Sequence, residues 1–268
     1  MKRTGTVLCP VIVGRDDILE LFDDLIGEVG QGHGRTVFLS GSAGLGKSRL
    51  IRAVARKAMA AGFRVTGGSV SPQDLEVPLG SIREMANSLR TNSEFGTLSQ
   101  DLLAIAGLPN ADALGARRTI VRGIADRILA EIDCPTICLF DDLQWTDELS
   151  LEVIGELARL GTDRPMLLLA DYRHDEFPSA TIHREGRARM LSQRHAQEIR
   201  LQPLTLDQTA IATTLILGSE LPAPREVVTA VFERTNGIPL HIEELLAALD
   251  DEDRTDGRRI RDARVPDT

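Results

Sequence analysis

Eight residues, Gly41-Ser42-Ala43-Gly44-Leu45-Gly46-Lys47-Ser48, carry the spacing G-x-x-x-x-G-K-S/T in full. That combination suits the binding of ATP or GTP. Glycine lets a backbone curl round an anion without Cβ clashes. The amides of Gly44 to Ser48 are expected at a helix N-terminus, where unpaired N–H groups and the macrodipole attract phosphate oxygens. Lys47 is expected at the β and γ phosphates, and the Ser48 hydroxyl on Mg²⁺. The candidate nucleotide contacts of this stretch are Gly41, Ala43, Gly44, Leu45, Gly46, Lys47, Ser48 and Arg49.

A second chemical signal lies at Asp141-Asp142, directly after the apolar run Pro135-Thr136-Ile137-Cys138-Leu139-Phe140. A buried strand closing on an acid is what a phosphate-loop enzyme needs, because its C-terminal edge faces the metal site. Asp141 is the candidate metal-side carboxylate beside Ser48, and Asp142 the candidate group that orients or polarises an attacking water. The bland alternative is that two acids simply open a loop. Arg173 follows a further apolar run, Pro165 to Ala170, so it could reach the γ-phosphate and report its presence. Many loop arginines merely sit in solvent. Lys47, Asp142 and Arg173 are thus the catalytic candidates.

These residues need elements to hold them. Thr36 to Ser40 reads as a buried parallel strand. After it, Arg49 to Ala61 reads as a helix with Leu50, Val54 and Ala58 on one face, capped by Gly62. Phe63 to Gly68 is a second strand, followed by a polar loop with Pro72 and Pro78. Helices are expected over Leu79 to Arg90, Ser99 to Ala106 and Ala116 to Asp133. Thr146 is the expected N-cap of a helix carrying Val153, Ile154, Leu157 and Leu160. Asp175-Glu176-Phe177-Pro178 turns the chain away after the Arg173 strand.

Thr181 to Gln197 is rich in Arg and His, and Glu198 to Leu201 alternates like a short strand. Thr205-Leu206-Asp207-Gln208 is a capping-box pattern opening a new helix. Another helix is expected over Arg225 to Arg234, broken at Thr235 to Leu240 before Glu243 to Leu249 resumes. The fold class is therefore α/β, a P-loop NTPase with a parallel β-sheet flanked by helices and a small helical lid behind it. The expected division is 1–201 for the nucleotide-binding domain, 202–249 for the lid, and 250–268 for a charged linker or tail.

With 40 acidic against 31 basic residues, the net charge is −9. No basic face follows from simple counting, so direct nucleic-acid binding by this chain is not expected. The 3 cysteines, Cys9, Cys134 and Cys138, form neither a disulfide framework nor a zinc-like pattern and fit a reducing cytoplasm. No apolar stretch approaches membrane-spanning length, so no membrane partner is expected. A guanine-specifying Asn/Thr-Lys-x-Asp motif is absent, which favours ATP and ADP as the ligands.

Taken together, these pieces resemble the nucleotide-binding module of STAND-type, AAA-related ATPases, in particular the large ATP-binding regulators of the LuxR type. The marks are Val13-Gly14-Arg15 at the lead-in, the phosphate loop, and Asp141-Asp142-Leu143-Gln144-Trp145-Thr146-Asp147. Leu169 to Glu176 with Arg173, Leu201 to Leu204, and Gly237-Ile238-Pro239-Leu240 with Glu243-Glu244-Leu245 complete the set. The likeness spans about residues 11 to 249. It implies that the lead-in and the Gly-x-Pro segment flank the adenine, a role carried to Val13, Gly14, Arg15 and Pro239. Gln144 stands where members often have His, and Asp142 where motor-type relatives carry Glu.

The resemblance implies an ATP-binding, slowly hydrolysing signalling switch whose readout lies in C-terminal effector or DNA-binding domains beyond this chain, or in a protein partner. The chain is then expected to be a fragment or truncated relative. The alternative is a working AAA-type ATPase that assembles with nucleotide and remodels protein or DNA.

Overall fold

The computed structural model describes residues 8–68, 78–89, 113–175, 181–250 and 252–263. Two compact units account for it, one of residues 21–41 and 51–200, the other of 1–20, 42–50 and 201–268. The helix expected over Ser99 to Ala106, the loop around Pro72 and the turn at Glu176 to Pro178 lie outside the described residues.

In the first unit, β1 (Arg35–Ser40), β2 (Arg64–Gly68), β3 (Thr136–Phe140), β4 (Met166–Tyr172) and β5 (Gln197–Arg200) form one sheet in the order β2-β3-β4-β1-β5. Every pairing is parallel. Parallel strands covered on both faces read as continuous apolar runs, which is why β1, β3 and β4 stand out in the sequence. β4 is buried along its whole length. It runs to Tyr172, within the expected closing stretch Asp171-Tyr172-Arg173, because Leu39 and Ser40 of β1 pair with Asp171 and Tyr172. Asp171 is therefore a strand residue.

The crossovers between these strands are helical, as parallel pairing requires. Helices α1 (Asp16–Gly30) and α2 (Lys47–Ala60) bracket β1 in sequence, and α3 (Gly80–Ser88), α4 (Ala113–Ala130), α5 (Glu148–Leu160) and α6 (Thr181–Ser192) follow. α3 packs on β2, and α4, α5 and α6 pack side by side. Their core joins Ile128, Cys138, Phe140, Ile154 and Leu168. The N-cap of α5 is Asp147, not Thr146: its Oδ1 accepts the N–H groups of Leu149 at 3.1 Å and Ser150 at 3.0 Å. Thr146 instead ends the short 3₁₀ turn over Leu143–Trp145.

The second unit contains α7 (Leu206–Leu217), α8 (Arg225–Thr235), α9 (Pro239–Ala247) and α10 (Gly257–Asp262). The capping box opening α7 is complete. Gln208 N–H donates to Thr205 Oγ1 at 3.2 Å and Thr205 N–H donates to Gln208 Oε1 at 3.0 Å. Pro239 occupies the first turn of α9, where its missing N–H costs nothing, so it starts a helix rather than only breaking one. The apolar core holds Leu204, Val231, Ile242 and Leu245, together with Cys9 from the N-terminal segment.

Charge composition did not disclose the behaviour of residues 252–263. They carry α10, which packs on α8, and Ile260 is fully buried in the same core. Ile260→Ala should therefore cost about 2–4 kcal/mol, as for other large-to-small core changes. Urea denaturation followed by circular dichroism measures this. A change within about 0.5 kcal/mol, typical of a solvated surface position, would mean that α10 is a loose tail.

Candidate functional site

The phosphate loop is held in the second unit by more than its own sequence. Gly44 and Gly46 have φ of 76° and 88°, a region closed to most side chains. A Cβ on Gly44 would also meet Ile238 Cγ2 at 2.9 Å. The main chain at Leu240 closes the contact, its N–H donating to Gly44 O at 3.2 Å. Helix α9 therefore seats on the loop, and glycine is the residue that allows both the turn and the approach.

Lys47 opens α2 and is buried, with its ammonium 3.2 Å from Ser42 O. A buried ammonium folded over a glycine loop at a helix start makes a site for an anion. Ala43 and Ser48 are exposed. Gly46 has open space where a Cβ would stand, and it borders a cavity. A side chain there would fill that space, so this loop suits a bound phosphate.

The cavity measures about 470 Å³ including its open mouth, within the range of small-molecule clefts. Six expected binding residues line it: Val13, Arg15, Leu45, Gly46, Arg49 and Pro239. Its remaining walls include Val11, Leu204 and Ile216, so the cleft is apolar with a few polar groups. Gly14 is not a lining residue; it lies against the Gln208 carboxamide of α7.

Arg15 is 7% exposed, and burial pulls its guanidinium pKa below the usual value while Asp17 opposes the shift. Its Nη2 donates to Gln202 O at 2.7 Å and its Nη1 to Gly14 O at 3.1 Å. It fastens the lead-in to the turn before α7. Arg49 likewise points at main chain and at Glu243 rather than standing apart for phosphate.

The acidic group belongs to the first unit. Asp142 follows β3 in a left-handed conformation, φ 55°, and Asp171 of β4 fixes it by accepting its N–H at 2.8 Å. Gln144 is fully buried and uses both ends of its carboxamide. Nε2 donates to Asp142 Oδ1 at 2.7 Å, and Oε1 accepts Arg173 N–H at 3.0 Å. Arg173 Nε lies 3.6 Å from Asp142 Oδ1. The structure thus brings Asp142 and Arg173 together and adds Gln144, which the sequence marked only as standing where relatives often have His, and Asp171, which it did not single out. Asp171 and Arg173 reach this group through the β3–β4 register, whereas Gln144 lies two residues from Asp142. Ser48 and Asp141 belong to different units.

Among the described residues no three of His, Cys, Asp and Glu converge on a common point. A nucleotide's Mg²⁺ takes most of its ligands from phosphate and water, so it does not require such a cage.

A family model described as the AAA ATPase domain matches residues 11–169, more than half of the chain. The chain belongs to the AAA ATPase domain family. Membership implies nucleotide binding, usually with Mg²⁺. An uncharacterized protein of Rhizobium meliloti (strain 1021) is 25% identical over 294 residues, which cover 95% of this chain and 26% of the relative. This AAA ATPase domain therefore spans about a quarter of that protein's length.

Solved structures share its fold, among them the following two. One is Drosophila ORC bound to DNA, with TM-score 0.61, 15% identity, and coverage of 97% of this chain and 63% of that one. The other is the Aeropyrum pernix ORC1 protein in complex with DNA, with TM-score 0.53, 16% identity, and coverage of 90% and 62%. Among the described residues no helix is long and apolar enough to cross a membrane.

Burial, and after it the like charge of Asp142, push the Asp141 carboxyl above its ordinary range, with Arg52 pulling the other way. A raised folded-state pKa penalises the ionised form. That contribution to stability is whole below the unfolded pKa and is lost as pH rises through the folded one. The side chain keeps contact with solvent, which damps the effect. Asp141→Asn should match the parent near about pH 4 and be the more stable near about pH 7.5. Nucleotide-free thermal melts at the two pH values test this, and equal melting at both would refute it.

Proposed function

We propose that this AAA ATPase domain is a Mg-ATP-binding, slowly hydrolysing switch module whose nucleotide state is passed to the helices of residues 202–249. One observation carries the reading: the cavity beside the phosphate loop is lined in part by α9, and Leu240 of that helix bonds directly to Gly44. A ligand there touches the moving part of the switch without an intermediary.

Lys47 and the loop amides bind the phosphates, Val13, Arg15 and Pro239 bound the base, and Ser48 would offer its hydroxyl to Mg²⁺, Asp141 being the other residue proposed as a metal ligand. The ion would neutralise phosphate charge. Asp142 is the group that orients the attacking water. Its carboxylate is already engaged by Gln144 and Arg173, which supports slow turnover.

The output is a matter of analogy. The marks shared with LuxR-type regulators support a DNA-binding or effector region elsewhere in a longer protein, and the aligned part makes up 26% of the Rhizobium meliloti relative. The cytoplasm is the expected compartment.

Calorimetry of Mg-ATP, ADP and GTP on the purified chain, with phosphate release followed in parallel, tests the proposal. ATP and ADP should bind, and Lys47→Ala should weaken ATP by about 10-fold or more, the value of a lost charge-assisted bond. Turnover should lie below about 1 s⁻¹, the slow end for enzymes, and vanish in Asp142→Asn. Fast turnover with ATP-dependent assembly would favour the remodelling ATPase, and no adenine-nucleotide binding would overturn the reading.

A further inference from the structure

Arg49 follows the phosphate-loop serine, yet its guanidinium is spent on the N-terminal segment. Nη2 donates to Cys9 O and, at 3.2 Å, to Val11 O, while Nη1 lies 3.1 Å from Glu243 Oε1. The same Glu243 oxygen accepts the Cys9 N–H at 2.8 Å. One ion pair therefore grips the segment by both its N–H and its C=O groups. The cationic half stands on the first turn of α2, next to the loop, and the anionic half on α9.

The gripped segment has no helix or sheet of its own, so nothing in local secondary structure fixes its place. It nonetheless supplies Val11, Ile12 and Val13 to the cavity wall. The clamp is well sheltered on the α9 side, where the Glu243 side chain is 12% exposed against 38% for Arg49. Charge-assisted bonds to main chain are stronger than neutral ones, and removing one half leaves the other charge poorly solvated.

We infer that Arg49 and Glu243 form a strap that positions residues 9–13 as the base-reading wall of the cavity and links that wall to α9. The inference rests on the adenine-nucleotide reading above. An extended main chain offers N–H and C=O groups at fixed spacing. Adenine presents an amino donor where guanine presents a carbonyl acceptor, so a wall held in register distinguishes the two. Arg49 and Glu243 border the cavity themselves, but they act here as positioning residues: their hydrogen bonds are spent on each other and on residues 9–11, and their loss blunts discrimination more than it removes phosphate binding.

The test uses the full chain with Arg49→Gln, Glu243→Gln, the double variant and the milder Arg49→Lys. Amide hydrogen exchange over residues 9–13 is read without nucleotide, and Mg-ATP and Mg-GTP affinities are read by calorimetry. Each Gln variant should speed exchange in this segment by about 10-fold. Each should also weaken ATP by about 10-fold with little change for GTP. The double variant should be no worse than the weaker single, because both act through one segment.

Arg49→Lys keeps the charge but not the two-way grip, so it should fall between, and it carries the test if a Gln variant fails to fold. Equal loss for ATP and GTP with unchanged exchange would overturn the strap and return Arg49 to the phosphates. If the parent chain binds neither nucleotide, the nucleotide reading fails on its own. Exchange then decides: faster exchange keeps the strap as the clamp of this segment, and unchanged exchange overturns it.

Discussion

The contact between Gly44 and the start of α9 is the constraint on which the second unit turns. The phosphate loop can hold its left-handed turn and still lie under Ile238 and Leu240 only because no side chain intervenes. With α9 seated there, Pro239 falls at the cavity and Glu243, one helical turn on, comes within reach of Arg49 and Cys9. A Cβ at position 44 would strain the backbone and lift the helix together, disturbing the glycine loop and the helical C-terminal part at one stroke.

Polar side chains in this unit serve mainly to hold main chain that has no regular structure. Arg15 ties the lead-in to Gln202, Arg49 ties residues 9–11 to α2, and Lys47 closes over Ser42. The cavity walls are mainly apolar, and the guanidinium groups of Arg15 and Arg49 that border it are turned to main-chain carbonyls. In the first unit the same economy appears at Asp142. A left-handed aspartate after β3 is fixed by Asp171 from the neighbouring strand, and Gln144 spans it to Arg173. In the proposed switch, a carboxylate so engaged must exchange partners before it can serve a water.

Much of the α/β framework was legible in the sequence. The runs at 36–40, 135–140 and 165–170 announce buried parallel strands because such strands are covered on both faces and need no polar alternation. The phosphate loop and the Thr205 to Gln208 capping box are local motifs whose partners lie within a few residues, so spacing alone identifies them. Where two local signals competed, as at Thr146 and Asp147, pattern could not choose. The cap went to the residue whose carboxylate reaches two amides of α5.

The sequence by itself determined the strands, the phosphate-binding loop, the acids that follow β3 and the presence of a helical C-terminal part. Tertiary structure alone decided that Arg49 faces Cys9 and Val11 and not the loop it adjoins, that Gln144 bridges Asp142 to Arg173, and that Ile260 belongs to a core. Each of these depends on residues far apart in the chain; the Cys9–Glu243 bond spans 234 positions. Propensity and periodicity report on neighbours within a turn or a strand, whereas the direction of a long side chain is set by whichever donor or acceptor the fold brings alongside it.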